Sequence, residues 1–452
     1  MSVIHTANAL MPEGWAAGVR LSVTGERIAT IETGVPPSSS DERTTILLPG
    51  LPNLHSHAFQ RGMAGLAETR GSSTDTFWTW REVMYRFALA MTPEQMEAVA
   101  AQAYVEMLES GFTRVGEFHY LHHDRDGRPY ANIAEMSERI AAAGSQTGIG
   151  LTLLPVLYAH GNFGGAAAND GQRRFLNSID QFGRLLEASR RSVCDINTAV
   201  VGVAPHSLRA VTPEQLAAAV ALAGNGPVHI HAAEQTREVD DCLAWSGQRP
   251  VEWLLDHAAL DARWCLIHAT HMTTTETERL ARTGVVAGLC PITEANLGDG
   301  IFNGPGFLGA GGRYGIGTDS NVLIGAAAEL RQLDYAQRLG RRERNVMGAP
   351  GISTGRALYQ AAHAGGSAAL GVSGEGLTPG APADFVSLDA GHLSVAGRSG
   401  DQWLDAWIFA APKSPVDGVW VSGVKQVDGG RHRRAETIAA KYRQAMEQLM
   451  SL

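Results

Sequence analysis

Apolar and polar positions divide the chain into three stretches. Over residues 1–47 they alternate with period two: Val19–Val23 and Arg27–Ile31 read as strands joined by a Gly25-Glu26 turn, and Pro36–Arg43 as a surface loop. From Ile46 the pattern changes to short apolar runs, most followed by a longer stretch of helical character. The runs lie at 46–55, 112–119, 149–158, 199–206, 228–234, 264–268, 285–290 and 314–319. Helices are expected over 92–110, 129–144, 170–190, 212–224, 236–246, 250–258, 273–283, 325–340 and 353–364, with a long loop over 291–312. Thr92-Pro93-Glu94 and Thr212-Pro213-Glu214 repeat one helix start: a threonine cap, proline at the first helical position and an acid in the first turn. Past about residue 375 the chain returns to turns and strands, and a helix near 434–451 closes it.

Eight apolar strands alternating with helices predict an α/β fold whose parallel sheet is covered on both faces. Closure into a (β/α)8 TIM-type barrel over residues 48–375 is the expected architecture, with an open doubly wound sheet as the alternative. The β-rich ends, 1–47 and 376–452, are each too small to stand alone, so they are expected to pair into one small β-sandwich domain beside the barrel.

In such a barrel the C-terminal ends of the strands share one mouth, and here those ends carry the polar residues. The first strand ends in His55-Ser-His57, and alternate strand residues point the same way. The fourth ends in His206-Ser-Leu-Arg209, the fifth in His229-Ile-His231-Ala-Ala-Glu234, the sixth in His268 and the eighth in Gly-Thr-Asp319. His55, His57, His231 and Asp319 form a nitrogen/oxygen ligand set for one divalent ion, with Zn2+ the first expectation and Fe2+ or Mn2+ also compatible. Such an ion lowers the pKa of water to about 7 in a typical zinc site. Glu234 is placed to carry protons to a leaving group and His268 to polarise the attacked centre. His229 is expected to pack one pleat deeper. His119, His122, His123, His160 and His271 are expected at the surface or behind the ligands.

Composition narrows the partners. Hydrophobic residues make up 44% and charged residues 18%, as in ordinary globular proteins. Net charge is −9 with no basic block, which argues against nucleic acid or an anionic membrane as the main partner. None of the four cysteines forms a CxxC pair, so neither a disulfide framework nor a cysteine metal site is indicated. No basic start precedes an apolar run, and no apolar run approaches a membrane span, so a cytoplasmic location is expected.

The set of strand-end residues resembles the amidohydrolase superfamily, and within it the single-metal aminohydrolases. The resemblance covers essentially the whole chain, split β domain included. It implies metal ligation by His55, His57, His231 and Asp319, and catalysis by Glu234, His268 and Asp319. Two-metal members carry a bridging lysine at the end of strand four; Val-Gly-Val-Ala-Pro-His206 has none, which implies one ion. Asn53-Leu-His-Ser-His-Ala-Phe-Gln-Arg61 and Cys290-Pro-Ile-Thr-Glu-Ala-Asn-Leu-Gly-Asp-Gly-Ile-Phe302 are similar to the branch that deiminates N-formimino-L-glutamate in histidine degradation. Ile292 departs from that motif, where threonine is expected, but touches no proposed ligand. The resemblance implies attack of a metal-activated water on the amidine carbon, giving N-formyl-L-glutamate and ammonia, and a homodimer.

That substrate carries two carboxylates, which bidentate arginine holds best. Arg81, in the loop after strand one, and Arg209, after strand four, are the candidates, with Gln60, Tyr120 and His206 as further contacts. Glu294 and Asn296 are expected to shape the loop after strand seven. Two other readings stand at this point: an aminohydrolase acting on a nucleobase such as guanine or cytosine, and an inactive scaffold relative.

Overall fold

The computed structural model describes residues 2–70 and 75–451. One eight-stranded sheet gathers both ends of the chain, in the order Arg431–His432, Val424–Asp428, Val416–Val421, Phe385–Leu388, Glu42–Pro49, Ser2–Met11, Gly14–Thr24, Arg27–Glu32. The ends meet where Phe385–Leu388 runs antiparallel to Glu42–Pro49, with Phe385 opposite Pro49 and Leu388 opposite Ile46. Ile4, Leu21, Leu47, Phe385 and Trp420 bury a common core on this sheet. Only Gly50 separates Glu42–Pro49 from the first barrel strand, Leu51–Ser56, so the terminal sheet feeds directly into the strand that carries the paired histidines.

The barrel is built in two parallel halves. Leu51–Ser56, Phe112–His119, Gly150–Leu157 and Val200–Val201 form the first, and Val228–Ala232, Trp264–His268, Val286–Leu289 and Arg313–Ile316 the second. Isolated parallel bridges span the seams: Val203 with Val228 and Ser207 with His231 on one side, Ser56 with Asp319 on the other. At the second seam the approach is close enough that a Cβ on Gly317 would lie 2.8 Å from the His55 backbone oxygen. The helix Thr354–Ala369 packs more closely still behind strand eight, where a Cβ on Gly365 would lie 1.9 Å from the Tyr314 carbonyl oxygen.

Several elements differ from expectation, each for a local reason. The run 199–206 is not one strand: Val200–Val201 and Ala204–Pro205 are separate, because Val203 turns its N–H to Pro227 O (3.0 Å) and accepts from His229 N–H (3.0 Å) across the seam. The expected loop 291–312 holds two short helices, Pro291–Leu297 and Gly304–Gly309, each with proline in its first turn and too short to show a period. The helices Phe77–Ala90 and Asp401–Ala410 lay in stretches read as non-helical; both carry tryptophan and phenylalanine along with alanine, which blurs amphipathicity. The Thr92 and Thr212 starts form with full capping boxes to Gln95 and Gln215. Among the described residues no helix is long and apolar enough to cross a membrane.

Candidate metal centre and active site

His55, His57, His231 and Asp319 come together at the barrel mouth, with one ligand atom from each lying within 4.8 Å of all the others. The Asp319 Oδ1 atom is 3.4 Å from His55 Nε2 and 3.3 Å from His57 Nε2, and the Nε2 atoms of His55 and His231 are 3.2 Å apart. The opposite ring nitrogens are committed elsewhere: His57 Nδ1 lies 2.9 Å from Phe118 O and His231 Nδ1 3.0 Å from His206 O. A carbonyl only accepts, so those Nδ1 atoms carry the hydrogens and the Nε2 lone pairs face the centre. Burial lowers all three imidazoles, His55 to about 3, which keeps them neutral as metal ligands must be. Burial alone would raise Asp319; the facing histidines instead hold its carboxylate below the usual range. Lone pairs and a carboxylate converging at one point are satisfied by a divalent cation, so the residues fit the expected metal.

Backbone strain collects at the same place. Ala233, His268, Ala269, Asp319 and Asn321 all have left-handed backbones, with φ of 52°, 68°, 48°, 46° and 55°. These residues follow or end strands five, six and eight, where side chains turn from the barrel wall into the mouth. Each such residue costs on the order of 1–3 kcal/mol. Asn321 helps hold the turn, its Nδ2 donating to His57 O and Asp319 O at 3.1 Å each.

Around the ligand cluster sit the expected catalytic groups. His268 Nε2 lies 3.6 Å from Glu234 Oε1 and 3.8 Å from Asp319 Oδ2. Burial raises Glu234 to about 7, against the pull of His268 and Arg209. Burial would lower His268, but Glu234, Glu294 and Asp319 together raise it to about 10. Glu294 differs from its expected loop-shaping role. Its Oε1 is 3.2 Å from His268 Nδ1 and also accepts from Cys290 N–H at 2.9 Å. Asn296 does sit at the loop surface, bonded to Glu68.

A pocket with about 550 Å3 of empty space, its solvent-open mouth included, lies above the cluster. Gln60, Arg81, Tyr120, His206, Arg209 and Glu234 all line it, together with His57, His231, His268 and Asp319. Gln60 Nε2 donates to Tyr120 OH at 2.8 Å, and His206 Nδ1 lies 3.0 Å from Ser207 Oγ. Sequence reasoning missed the aromatic wall: Phe77, Trp80, Tyr85, Tyr158 and Phe175. The signal was present in the spacing Phe77, Arg81, Tyr85, which places all three on one face once 77–90 is helical.

Arg81 and Arg209 form no ion pair among the described residues, and the Nε of each is buried without a hydrogen-bond partner. Arg209 is only 6% exposed. Burial would lower it, but Glu238 and other neighbours keep it cationic. Behind the site, His229 packs as expected, bonded to Ala369 O at 2.7 Å. His119, His122 and His123 are not at the surface; all three are buried, and His122 and His123 bond to Val156 O and Leu176 O.

Residues 46–425 match the family model described as amidohydrolase family. The chain belongs to the amidohydrolase family. Its first 45 residues match a second model, that of the formimidoylglutamate deiminase HutF N-terminal domain. Over the full length of both chains it is 49% identical to a formimidoylglutamate deiminase of Pseudomonas aeruginosa. A solved amidohydrolase from Brucella melitensis is 58% identical, with full coverage of both chains and a TM-score of 0.96. An adenosine deaminase from Xanthomonas campestris, solved with bound zinc, shares the fold at 22% identity with a TM-score of 0.82, covering 100% of this chain and 98% of its own. These amidohydrolase relatives bear out the barrel architecture.

Proposed function

We propose that this chain hydrolyses N-formimino-L-glutamate to N-formyl-L-glutamate and ammonia, a step of histidine degradation. The observation that carries the reading is the presence of two complementary groups of side chains in one cavity. One group is the histidine and carboxylate cluster; the other is Arg81 and Arg209, whose Nε atoms are buried without a hydrogen-bond partner and which form no ion pair among the described residues. A ligand with an amidine at one end and two carboxylates at the other satisfies both. The name carried by the relative at 49% identity agrees with this chemistry.

In this proposal His55, His57, His231 and Asp319 hold one divalent ion, Zn2+ by preference. Such an ion makes a water acidic enough to supply hydroxide near neutral pH. Glu234 accepts a proton from the attacking water and passes it to the departing nitrogen, and burial suits its carboxyl to that exchange by raising it to about 7. Asp319 orients the water. His268, held at Nδ1 by Glu294, presents Nε2 to the charge that develops on the heteroatoms of the tetrahedral intermediate. The water's second proton follows through the Glu234 carboxylate as the C–N bond to the imino nitrogen breaks, so the carbon keeps the water's oxygen as the formyl C=O and the nitrogen leaves as ammonia. Arg81 and Arg209 bind the carboxylates, while Gln60, Tyr120 and His206 contact the remaining polar groups. We place the enzyme in the cytoplasm, as a homodimer with residues 1–47 and 376–452 forming one β unit beside the barrel; light scattering tests the dimer.

The deciding experiment is ammonia release by purified protein from N-formimino-L-glutamate, guanine and cytosine side by side, with metal content measured on the same sample. Turnover confined to the amidine is expected. Turnover of a nucleobase with none of the amidine would overturn the assignment.

A further inference from the structure

We propose that Arg237, outside the cavity proper, is a rim cation that recruits dianionic ligands and biases the site towards them over singly charged ones; this rests on the reading of Arg81 and Arg209 as carboxylate holders. The Trp78 indole gathers three guanidiniums: those of Arg81 at 4.5 Å, Arg237 at 4.7 Å and Arg209 at 5.9 Å from the ring centroid. Arg81 and Arg209 line the cavity, whereas Trp78 and Arg237 do not. Trp78 therefore joins the inner pair to an outer cation. It stands near the start of the helix Phe77–Ala90, and Arg237 near the start of the helix Thr236–Ser246, which begins two residues after Glu234.

Arg237 is the solvent-facing member. Its side chain is 63% exposed, and its ion-pair partner, Asp241, is 3.9 Å away on the next turn. At that distance and exposure the pair neutralises little of the guanidinium's field. Three like charges around one indole repel each other, and the ring's negative face offsets that only in part. An arriving dianion relieves the repulsion and gains twice the attraction a monoanion gains. The chain as a whole carries −9, so a dianion approaching from elsewhere is repelled. Glu238 and Glu234 offset part of the Arg209 charge, so the exposed Arg237 is the cation that an approaching dianion meets on the way to Arg81 and Arg209.

The test measures binding of glutarate, a dianion, and of glutaramate, its singly charged amide, to metal-loaded protein by calorimetry at low and high salt. Arg237→Gln removes the charge and Arg237→Lys keeps it. At about 0.01 M salt, Arg237→Gln is expected to weaken glutarate about threefold and glutaramate less, with both differences vanishing near about 0.5 M. Arg237→Lys is expected to bind both as the wild type does. Equal losses for the two probes at every salt, no loss at low salt, a loss shared by Arg237→Lys, or no glutarate binding by the wild type would each overturn the proposal. Because the readout needs no turnover, a failure to release ammonia from N-formimino-L-glutamate alongside the expected binding pattern sinks the substrate assignment alone.

Discussion

His57 and Asp319 meet twice. The His57 backbone N–H donates to the Asp319 carbonyl at 2.9 Å, while His57 Nε2 and Asp319 Oδ1 face each other at 3.3 Å. The first contact, with the return bond from Asp319 N–H to His55 O at 3.0 Å, ties strand eight to strand one. The second puts both side chains in the ligand cluster. The seam of the barrel and the candidate metal centre are built from the same residues, one through their backbones and the other through their side chains.

Removing a ligand should therefore lose metal and activity together. Asp319→Ala is expected to retain less than a tenth of the bound metal and to lower ammonia release by more than about 1,000-fold, since in the proposed mechanism it removes both a ligand and a catalytic carboxylate. Metal analysis beside the activity assay checks this. Dialysis of the wild type against a chelator should abolish activity, and one equivalent of Zn2+ per chain should restore it; restoration that needs two equivalents would contradict the single-ion reading.

Arg209 should trade stability for function. A buried guanidinium whose Nε has no hydrogen-bond partner, and which makes no ion pair among the described residues, costs the ligand-free protein, whereas a bound carboxylate gains a charge-assisted pair. Arg209→Met should lower kcat/KM by roughly 10- to 100-fold, the loss of about 1.5–3 kcal/mol of charged hydrogen bonding. The same variant should unfold at a higher temperature than the wild type without ligand. A lower melting temperature would mean that Arg209 is satisfied in the free protein.

Glu294 should matter to the rate more than to binding. It grips His268 at Nδ1 and fixes which way the ring presents Nε2. Glu294→Ala should lower kcat by about 10- to 100-fold with KM within a few-fold of wild type, and Glu294→Gln, which keeps an acceptor, should recover part of the loss. A change confined to KM would count against this role.

A pH dependence of stability should come from Glu117. Burial raises its carboxyl from 4.5 to about 8, against hydrogen bonds from Ala58 N–H (2.7 Å) and Tyr104 OH (3.1 Å). Because the folded state holds the proton more tightly, this group is neutral to stability below about 4.5. It destabilises progressively as pH rises towards about 8, where the full penalty is reached. Glu117→Gln should thus melt with the wild type near pH 5 and above it at pH 8, by the equivalent of a few kcal/mol or about that order. Thermal melts across that range test the sign directly.

Much of this was legible in the chain itself. The apolar runs marked the positions of the barrel strands, although 199–206 splits into two short strands, because a strand covered on both faces has to be apolar throughout. The cap residues Thr92 and Thr212 marked their helices, because capping is local. His55, His57, His231 and Asp319 stood out because a parallel barrel sends every strand end to one mouth. What only the tertiary structure decided was set by contacts between residues far apart in sequence. Arg81 could be aimed only once 77–90 became a helix, and that helix carries apolar residues on more than its core face. Glu294 acquired its partner because strand six brought His268 beside the short helix Pro291–Leu297, a pairing across 26 residues that no local pattern encodes. The gathering of Arg81, Arg209 and Arg237 around Trp78 likewise draws on three separate loops and helices. Periodicity and capping record what each segment must bury or bond locally; which buried charge goes without a partner is settled only when the segments meet.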